Sequence, residues 1–314
     1  MRGLLFSTLA FIVGALLAAG CNLEQSIEQL SEQPTSNVLP AQATDQLRVA
    51  TFNIQVFGQS KMKKPEAMKT IVDVVRRFDV IAIQELRSKE QNVIPQFVQM
   101  INAEGANYEA IVGPRLGRSS SKEQYVFLFD ASKVEVVPNS VYTVNDPEDA
   151  LHREPLVATF RARATTTGTP FQFTLINIHT DPDETDWELD ALGVVFEVVR
   201  DNNPAEDDVI VLGDLNVDYK HLGKLGAISN ISWTVQDQMT NTRQNKSYDN
   251  IVFDRTRTTE FSGTAGVFNF EAEFGLTREQ ALEVSDHMPV WAVFSAAEST
   301  SSEPVAGRPV PVVR

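Results

Sequence analysis

The amino-acid sequence predicts an α/β protein in which two stacked, mixed β-sheets are covered by helices on their outer faces. Many short runs of β-branched and aromatic residues are typical of strands, whereas few segments have helical periodicity. Some strand-like runs are apolar throughout, as expected for strands that are buried on both faces. Two sheets packed face to face, with helices outside them, would bury this pattern.

The strand predictions follow the distribution of apolar residues along the chain. Val209–Leu212 is a continuous apolar run, whereas Phe171–Leu175 alternates between apolar and polar side chains. In chain order, the predicted strands are Leu47–Gln55, Val80–Leu86, Tyr108–Val112, Tyr125–Asp130, Val134–Val137, Leu156–Arg163, Phe171–His179, Val209–Leu215, Asn250–Asp254 and Val290–Phe294.

The helix predictions follow apolar residues at helical spacing. In Lys64–Phe78, the side chains of Met68, Ile71 and Val75 share one face, and Pro65 stands in the first turn, where its missing N–H costs nothing. The other predicted helices are Val93–Ala103, Trp187–Arg200 and a weaker one over residues 277–284.

The composition is that of a globular protein with an acidic surface. Apolar residues make up 42% of the 314 residues, and 27 basic against 42 acidic side chains give a net charge of −15. This balance argues against a protein that holds nucleic acid by bulk positive charge. It is compatible with a nucleic-acid enzyme that uses a metal ion and a few local arginines. The single cysteine, Cys21, excludes an intrachain disulfide.

The two ends of the chain have the composition of processing and tether segments. Arg2, the apolar run Leu4–Ala19 and the small residues before Cys21 are typical of an export signal. Ala-Ala-Gly-Cys also resembles a bacterial lipobox, which predicts a lipid on Cys21 and anchoring to the cell envelope, at the outer membrane or cell surface. The alternative is an ordinary signal peptide that is cleaved nearby. We expect a signal peptide over 1–20, a flexible tether over 21–46, one catalytic domain over 47–296 and a disordered tail over 297–314.

Polar side chains gather at the ends of predicted strands. Any one of them alone would be ordinary turn chemistry. The set combines oxygen ligands for a hard divalent cation with two histidines near carboxylates, which is what metal-assisted phosphodiester hydrolysis requires. Its members are Asn53, Glu85, His179, Asp214, Asn216, Asp249, Asp286 and His287.

The core, from about Leu47 to Phe294, resembles the endonuclease/exonuclease/phosphatase superfamily. The joint signal is Gln-Glu at 84–85, Gly-Asp-Leu-Asn at 213–216, Tyr-Asp at 248–249 and Ser-Asp-His at 285–287. The stretch Arg-Ser-Ser-Ser-Lys-Glu-Gln-Tyr at 118–125 and Arg-Glu-Pro at 153–155 are similar to the deoxyribonuclease I branch. The resemblance implies a four-layer α/β/β/α sandwich with the site at one rim.

The resemblance also implies the chemistry of each residue. Glu85 and Asn53 would hold Mg²⁺ or Mn²⁺, with Asp286 beside the metal. In-line attack by water would leave a 5′-phosphate and a 3′-hydroxyl. The implied catalytic residues are His287 with Asp249 as general base, His179 with Glu123 as general acid, and Asp214 and Asn216 as positioning groups.

The implied substrate is DNA, bound through its phosphate backbone and minor groove by a monomeric protein. Arg153, Arg87 and Tyr125 would contact it. Ser121 stands where the branch usually carries a tyrosine that packs into the groove, so we expect weaker groove binding. The alternatives are a phosphoesterase of the same superfamily that acts on phospholipids or small phosphate esters, and a non-catalytic binding lipoprotein.

The sequence departs from the family at its structural disulfide, because Tyr219 and Lys246 occupy the matching places. Stability must then come from the core or from a bound Ca²⁺, which would favour the folded state by mass action. The candidate calcium ligands are Asp146, Asp149 and the 236–245 loop.

Overall fold

The computed structural model describes residues 39–118, 120–163, 168–202 and 206–298. The strands in these ranges are β1 (Gln46–Phe57), β2 (Val80–Leu86), β3 (Tyr108–Val112), β4 (Gln124–Asp130), β5 (Val134–Val136), β6 (Tyr142–Thr143), β7 (Leu156–Ala162), β8 (Gln172–His179), β9 (Val209–Asp214), β10 (Ile231–Trp233), β11 (Asp249–Asp254), β12 (Phe261–Val267) and β13 (Val290–Ser295). The helices are α1 (Gln59–Met62), α2 (Pro65–Val75), α3 (Val93–Asn102), α4 (Thr185–Asn202), α5 (Gly223–Ala227), α6 (Phe270–Glu273) and α7 (Arg278–Val284).

The strands form two mixed sheets. The first has the order β12-β13-β1-β2-β4-β3, and the second has the order β10-β11-β9-β8-β7-β5, with β6 paired to β7. One parallel pair lies near the centre of each sheet, β1 with β2 and β8 with β9. The carboxyl ends of these pairs therefore present their following loops at the edges of the sheets, where side chains from several segments can converge.

The packing gives four layers, which confirms the predicted α/β/β/α sandwich. Val49 and Phe127 of the first sheet belong to the same buried cluster as Leu175 and Ile251 of the second. On the outer face of the first sheet lie α2, α3 and α7, whose apolar stripes form a second cluster. On the outer face of the second sheet, α4 and α5 complete a third.

Three strands were not predicted from the sequence. Of these, β6 and β10 are only two and three residues long. The strand β12, with the sequence Phe-Ser-Gly-Thr-Ala-Gly-Val, lies at an edge of the first sheet and carries two glycines and few β-branched residues. Its pairing with β13 is imposed by tertiary contacts, against a weak local preference. The predicted helix over 277–284 is present, and a capping box between Thr277 and Gln280 fixes its start.

The folded domain extends slightly beyond both expected boundaries. Leu39 packs against the helices of the first sheet, and Arg48 donates a hydrogen bond to the carbonyl of Pro40. At the other end, Ala297 pairs with Pro170, and the N–H of Glu298 donates to a neighbouring carbonyl. The predicted signal peptide, Cys21 and most of the tether and tail lie outside the described residues. Within the described ranges, no helix combines the length and apolarity that a membrane crossing needs.

Candidate active site

The predicted site residues meet at one rim of the sandwich. Asn53 and Glu85 lie near the carboxyl ends of the parallel pair β1–β2. His179 and Asp214 are the last residues of β8 and β9 and stand opposite each other in register. Because β11 runs antiparallel to β9, its first residue, Asp249, lies opposite Asp214 at the same edge. The periodicity that placed these residues at strand ends therefore also brings them together.

Two histidine–carboxylate pairs cross the seam between the sheets. His287 precedes β13 of the first sheet, and its Nδ1 lies 2.8 Å from Oδ2 of Asp249 in the second sheet. His179 belongs to the second sheet, and its Nδ1 lies 2.7 Å from Oε1 of Glu123, which precedes β4 of the first. Each carboxylate fixes the tautomer of its imidazole and leaves Nε2 free to face the site.

The surroundings of His287 favour its charged form. Burial lowers the pKa of His287, but the neighbouring carboxylates of Asp249 and Asp214 outweigh burial and raise it. The hydroxyl of Thr240 donates to Oδ2 of Asp249 at 2.7 Å and so holds the carboxylate in place. Thr240 was not singled out from the sequence, because a threonine in a loop carries no signal of this contact.

The second pair is held by two arginines. Burial raises the pKa of Glu123, but His179, Arg153 and Arg87 together lower it to about 2. The Nε of Arg153 lies 3.1 Å from Glu123, and that of Arg87 lies 3.3 Å from it. The pKa of His179 is raised, because Glu123 and Asp214 outweigh the effect of burial. The side chain of Glu123 is therefore ionised at physiological pH.

Asp214 occupies the centre of the site. Its Oδ2 atom lies 3.5 Å from Nε2 of His179 and 3.5 Å from Nε2 of His287. The two imidazole Nε2 atoms consequently lie no more than 7 Å apart. The side-chain amide of Asn216 donates a hydrogen bond to the carbonyl oxygen of Thr180 at 2.8 Å. That contact, together with a positive φ of 53°, turns the chain sharply after Asp214.

The residues beside Asp214 suit a divalent cation. Asn53 donates from Nδ2 to Asp214 at 2.9 Å and to Glu85 at 3.3 Å. Its Oδ1 is buried and accepts no hydrogen bond, which is costly for a protein amide unless a cation or water meets it. Glu85 has a φ of 64°, and its Oε2 accepts from the N–H of Val56 at 2.7 Å. These oxygens match the ligand preference of Mg²⁺ and Mn²⁺.

A second contact orients the remaining predicted metal residue. Gln55 donates from Nε2 to Oδ2 of Asp286 at 2.9 Å, and Ser285 donates to the carbonyl of Asn53 at 2.7 Å. Gln55 and Ser285 were missed from the sequence, although both are neighbours of motif residues. Asp214, Asp249 and His287 have ligand atoms within 4.8 Å of one another, so a metal could also be shared on that side.

The predicted substrate contacts have different surroundings. The side chain of Arg87 is 30% exposed and its Nε lies 3.2 Å from Glu85, so it bridges Glu85 and Glu123 at the surface. Arg153 is buried and donates to the carbonyl of His179 from Nε and Nη2. Tyr125 is 1% exposed, and its hydroxyl accepts from the N–H of His179 at 2.9 Å. It supports the histidine from below and offers no surface to a substrate, which corrects its expected role.

The candidate calcium residues are held by protein contacts. Asp146 accepts from the N–H of Leu151 at 2.7 Å, and Asp149 pairs with Arg118 at 3.3 Å. In the 236–245 loop, Asp237 accepts from the hydroxyl of Tyr219 at 3.2 Å. Among the described residues, these acids do not join a group with metal-ligand spacing.

This fold and site define a class of protein. The chain belongs to the endonuclease/exonuclease/phosphatase family, whose sequence model matches residues 50–287. Solved structures of low sequence identity share its fold. A family member from Bacteroides thetaiotaomicron has a TM-score of 0.55 at 16% identity and covers 80% of this chain and 95% of its own.

Within the family, the relatives are of the deoxyribonuclease I type, which confirms the resemblance. Deoxyribonuclease-1 of Bos taurus is 32% identical over 261 residues, covering 78% of this chain and 90% of its own. Deoxyribonuclease gamma of Rattus norvegicus is 31% identical over 261 residues, covering 78% and 83%. These relatives support a nuclease or phosphoesterase.

Proposed function

We propose that the protein is an exported DNA endonuclease that depends on a divalent metal and produces 5′-phosphate and 3′-hydroxyl ends. One observation carries the proposal: two imidazole Nε2 atoms face a single Asp214 oxygen from opposite histidine–carboxylate pairs. In-line displacement at phosphorus needs a base on the side of the attacking water and an acid on the side of the leaving oxygen. The two pairs supply these groups.

His287 acts as the general base in its neutral form, which a cation bound beside Asp214 and Asp286 would favour by offsetting the carboxylate charges that raise the pKa of His287. Its Nε2 accepts a proton from water as the water oxygen attacks phosphorus, and Asp249 on Nδ1 stabilises the imidazolium that forms. His179 acts as the general acid. Its Nε2 donates a proton to the leaving 3′ oxygen as the P–O bond breaks, and Glu123 stabilises its cationic form before transfer. The protein gains one proton and loses one, so the enzyme is restored when the two histidines re-equilibrate with solvent.

Glu85 and Asn53 would hold the metal, with Asp286 and Asp214 beside them. When bound, the cation supplies charge stabilisation to the phosphoryl oxygens in the transition state. Asn53 fits this role because its Oδ1 is buried without a donor. Gln55 and Val56 hold the neighbouring carboxylates in orientation.

DNA as substrate is supported by the deoxyribonuclease relatives and by the two arginines beside the general acid. Arg153 uses Nε and Nη2 for the carbonyl of His179, which leaves Nη1 as its candidate donor to the phosphate. Arg87 is partly exposed at the rim and could extend toward the backbone or minor groove. Ser121 lies within reach of Arg87, its Oγ 3.4 Å from Nη1, and supplies no aromatic surface for the groove.

Plasmid nicking by the mature chain tests the proposal. We expect conversion of supercoiled to nicked DNA in Mg²⁺ plus Ca²⁺, and none in EDTA. His287→Ala and His179→Ala should each reduce the rate by a factor of at least about 100. His221→Ala is the matched control, because His221 is an exposed histidine that pairs with Asp218 away from the site.

The outcomes separate the competing functions. Metal-dependent nicking that survives in His221→Ala and disappears in the other two variants supports the endonuclease. If the folded wild-type protein binds metal but nicks no DNA, the substrate assignment fails. Phospholipid and small phosphate ester substrates would then be assayed with the same variants. A partner that binds equally well to wild type and His287→Ala would instead favour a non-catalytic role.

Export and lipid anchoring belong to the same proposal and rest on the pattern that ends at Cys21. Mass spectrometry of the protein from a bacterial host should find a mature N-terminus at Cys21 that carries acyl chains. Cys21→Ala should release the protein from the membrane fraction. An unmodified N-terminus at another residue would contradict the lipid anchor and leave an ordinary export signal.

A further inference from the structure

An apolar groove of about 620 Å³ runs along the outer side of α4. One wall carries Trp187, Val194 and Val198 of the helix, and the other carries Tyr142 of β6 and Val144, which follows it. Trp187 is 68% exposed, and Val194, Val198 and Tyr142 are each about half exposed. Monomeric proteins rarely leave a continuous apolar patch in water, and such patches mark contact surfaces.

The sequence of α4 makes the helical wall of the groove continuous. Four side chains follow one another by four, three and four residues and so share one face of the helix: Trp187, Ala191, Val194 and Val198. A different face of α4 packs against the second sheet through Leu192 and Phe196. The helix therefore has two apolar faces, and only the one on the sheet is covered by the residues that the structure describes.

Acidic side chains border the groove. Asp146 and Glu148 lie on the wall opposite the helix, and Asp190 lies on α4. Of these three, Asp190 alone has an ion-pair partner within the described ranges, Lys224 at 3.1 Å. Charges at the border of a contact surface select partners of the opposite sign. The groove therefore suits an apolar segment that also carries positive charge.

The chain itself contains a segment of this composition after the folded domain. Residues 304–314, the Pro/Val segment, read Pro-Val-Ala-Gly-Arg-Pro-Val-Pro-Val-Val-Arg, with two arginines and no acid. Closely spaced prolines favour the polyproline II conformation, which docks into aromatic-lined grooves at a low cost in entropy. The disorder that composition predicts for an isolated tail is compatible with docking, because such segments become ordered on a partner surface.

The chain leaves the folded domain near one end of the groove. Glu298, the last described residue, accepts from the N–H of Gln172 at 2.9 Å, and the side-chain amide of Gln172 donates to Glu206 at 2.7 Å. Glu206 lies four residues after Asn202, which ends α4 and lines the groove. A segment that continues from Glu298 therefore begins close to this end of the helix.

The lengths of the segment and the groove also agree. The 18 residues of α4 span roughly 27 Å at 1.5 Å per residue. The 11 residues of the Pro/Val segment span roughly 34 Å at about 3.1 Å per residue in the polyproline II conformation. Residues 299–303 can bridge up to about 18 Å before it. The segment can therefore follow the whole groove, from Asn202 toward Trp187.

We propose that the Pro/Val segment docks in the groove along α4 of its own chain. Its prolines and valines pack against Trp187, Val194 and Val198, and Arg308 and Arg314 face the acidic border. The covalent link keeps the segment at an effective concentration on the order of millimolar, so weak contacts are enough to hold it. Docking covers an apolar face that would otherwise favour association with other molecules.

Tryptophan fluorescence of the mature chain tests the docking. Trp233 and Trp291 are each 4% exposed, so acrylamide quenching reports mainly on Trp187. The double variant Val310→Asp/Val312→Asp places charges in the apolar part of the segment, and Glu303→Gln, just before the segment, is the control. We expect a quenching constant about threefold lower in the wild type and the control than in the double variant, because a side chain within a contact is shielded from water.

A synthetic peptide of residues 304–314 extends the test to the groove. Added to the double variant, it should restore the quenching constant of the wild type in a saturable manner. The same peptide with Arg308→Glu and Arg314→Glu should bind at least about tenfold more weakly, because its charges then repel the acidic border. Val198→Asp, at an exposed position of α4, should prevent binding of the peptide, whereas Glu197→Gln beside it should not.

Other occupants of the groove give different results. Equal quenching of Trp187 in the wild type and the double variant would overturn the proposal. Shielding that persists in the double variant and grows with protein concentration would also overturn it and assign the groove to a second copy of the chain. Shielding that appears only with added phospholipid vesicles would assign it to a membrane instead. Circular dichroism of each variant checks that the fold is retained.

Discussion

Replacing Glu123 by glutamine removes one charge from the most heavily paired carboxylate of the site. The side chain is 1% exposed and lies within 3.3 Å of His179, Arg153 and Arg87. The amide preserves the shape and can still accept a hydrogen bond from the imidazole. Arg153, whose side chain is only 7% exposed, then loses its ion-pair partner. The substitution therefore leaves a buried guanidinium without a counter-charge.

The magnitude follows from the pKa of Glu123. Its fall from an ordinary 4.5 to about 2 corresponds to about 3 kcal/mol of stabilisation of the ionised form, at 1.36 kcal/mol for each pKa unit. We expect Glu123→Gln to lower the free energy of unfolding at pH 7 by about 3 kcal/mol, measured by urea denaturation. Glu109→Gln, at an exposed position on β3, is the control and should change it by less than about 0.5 kcal/mol.

The pH dependence has a definite sign. The pKa of Glu123 is lower in the folded state than in the unfolded chain. The stabilisation that its ionised form gives the fold is therefore present above pH 4.5 and is lost as the pH falls toward 2. The difference in the free energy of unfolding between the wild type and Glu123→Gln should stay constant from about pH 7 to 5.5. It should narrow by about 1.4 kcal/mol at pH 3.5. A difference below about 1 kcal/mol at pH 7, or one that does not narrow in acid, would refute the reasoning.

Three further substitutions test other parts of the structure. Gly213→Ala would place a Cβ 1.8 Å from the carbonyl oxygen of Ile178, so we expect the free energy of unfolding, measured in urea, to fall by more than about 4 kcal/mol. Gly105→Ala is the control. It has open space around it and should cost only about 1 kcal/mol, from the strain of a left-handed backbone. Thr240→Val removes the hydroxyl that donates to the Asp249 carboxylate and accepts from the Asp249 N–H, so it should lower the free energy of unfolding by about 2 kcal/mol and slow nicking. Thr240→Ser keeps the hydroxyl and should restore both properties. Equal behaviour of the two variants would disprove the contact. Gln55→Ala removes the amide that donates to Asp286 and should raise the Mg²⁺ concentration for half-maximal nicking about tenfold. Gln59→Ala is the control and should leave that concentration unchanged, because the amide of Gln59 donates to Asn92.

The sequence predicted those parts of the molecule that depend on local pattern. Continuous apolar runs such as that of β9 identify buried strands, and residues that end them, such as His179 and Asp214, must share a rim if the strands are parallel neighbours. The strand β12 escaped prediction because glycines at an edge carry little local preference. Gln55 and Thr240 escaped because their partners are fixed only by tertiary contacts.

Dependence on tertiary contacts also explains why Tyr125 was expected to contact the substrate. A tyrosine inside a motif suggests contact with a ligand, but alternation along β4 sends this side chain into the space between the sheets, where its hydroxyl holds the backbone of His179.

Both histidine–carboxylate pairs and the Asn53–Asp214 hydrogen bond cross from one sheet to the other. Neither sheet alone therefore contains a complete catalytic centre. A chain that has formed one sheet but not docked it against the other holds each imidazole without its carboxylate. Activity should therefore appear in a single step late in folding, and a chain kept unfolded during synthesis or transport would be chemically inert.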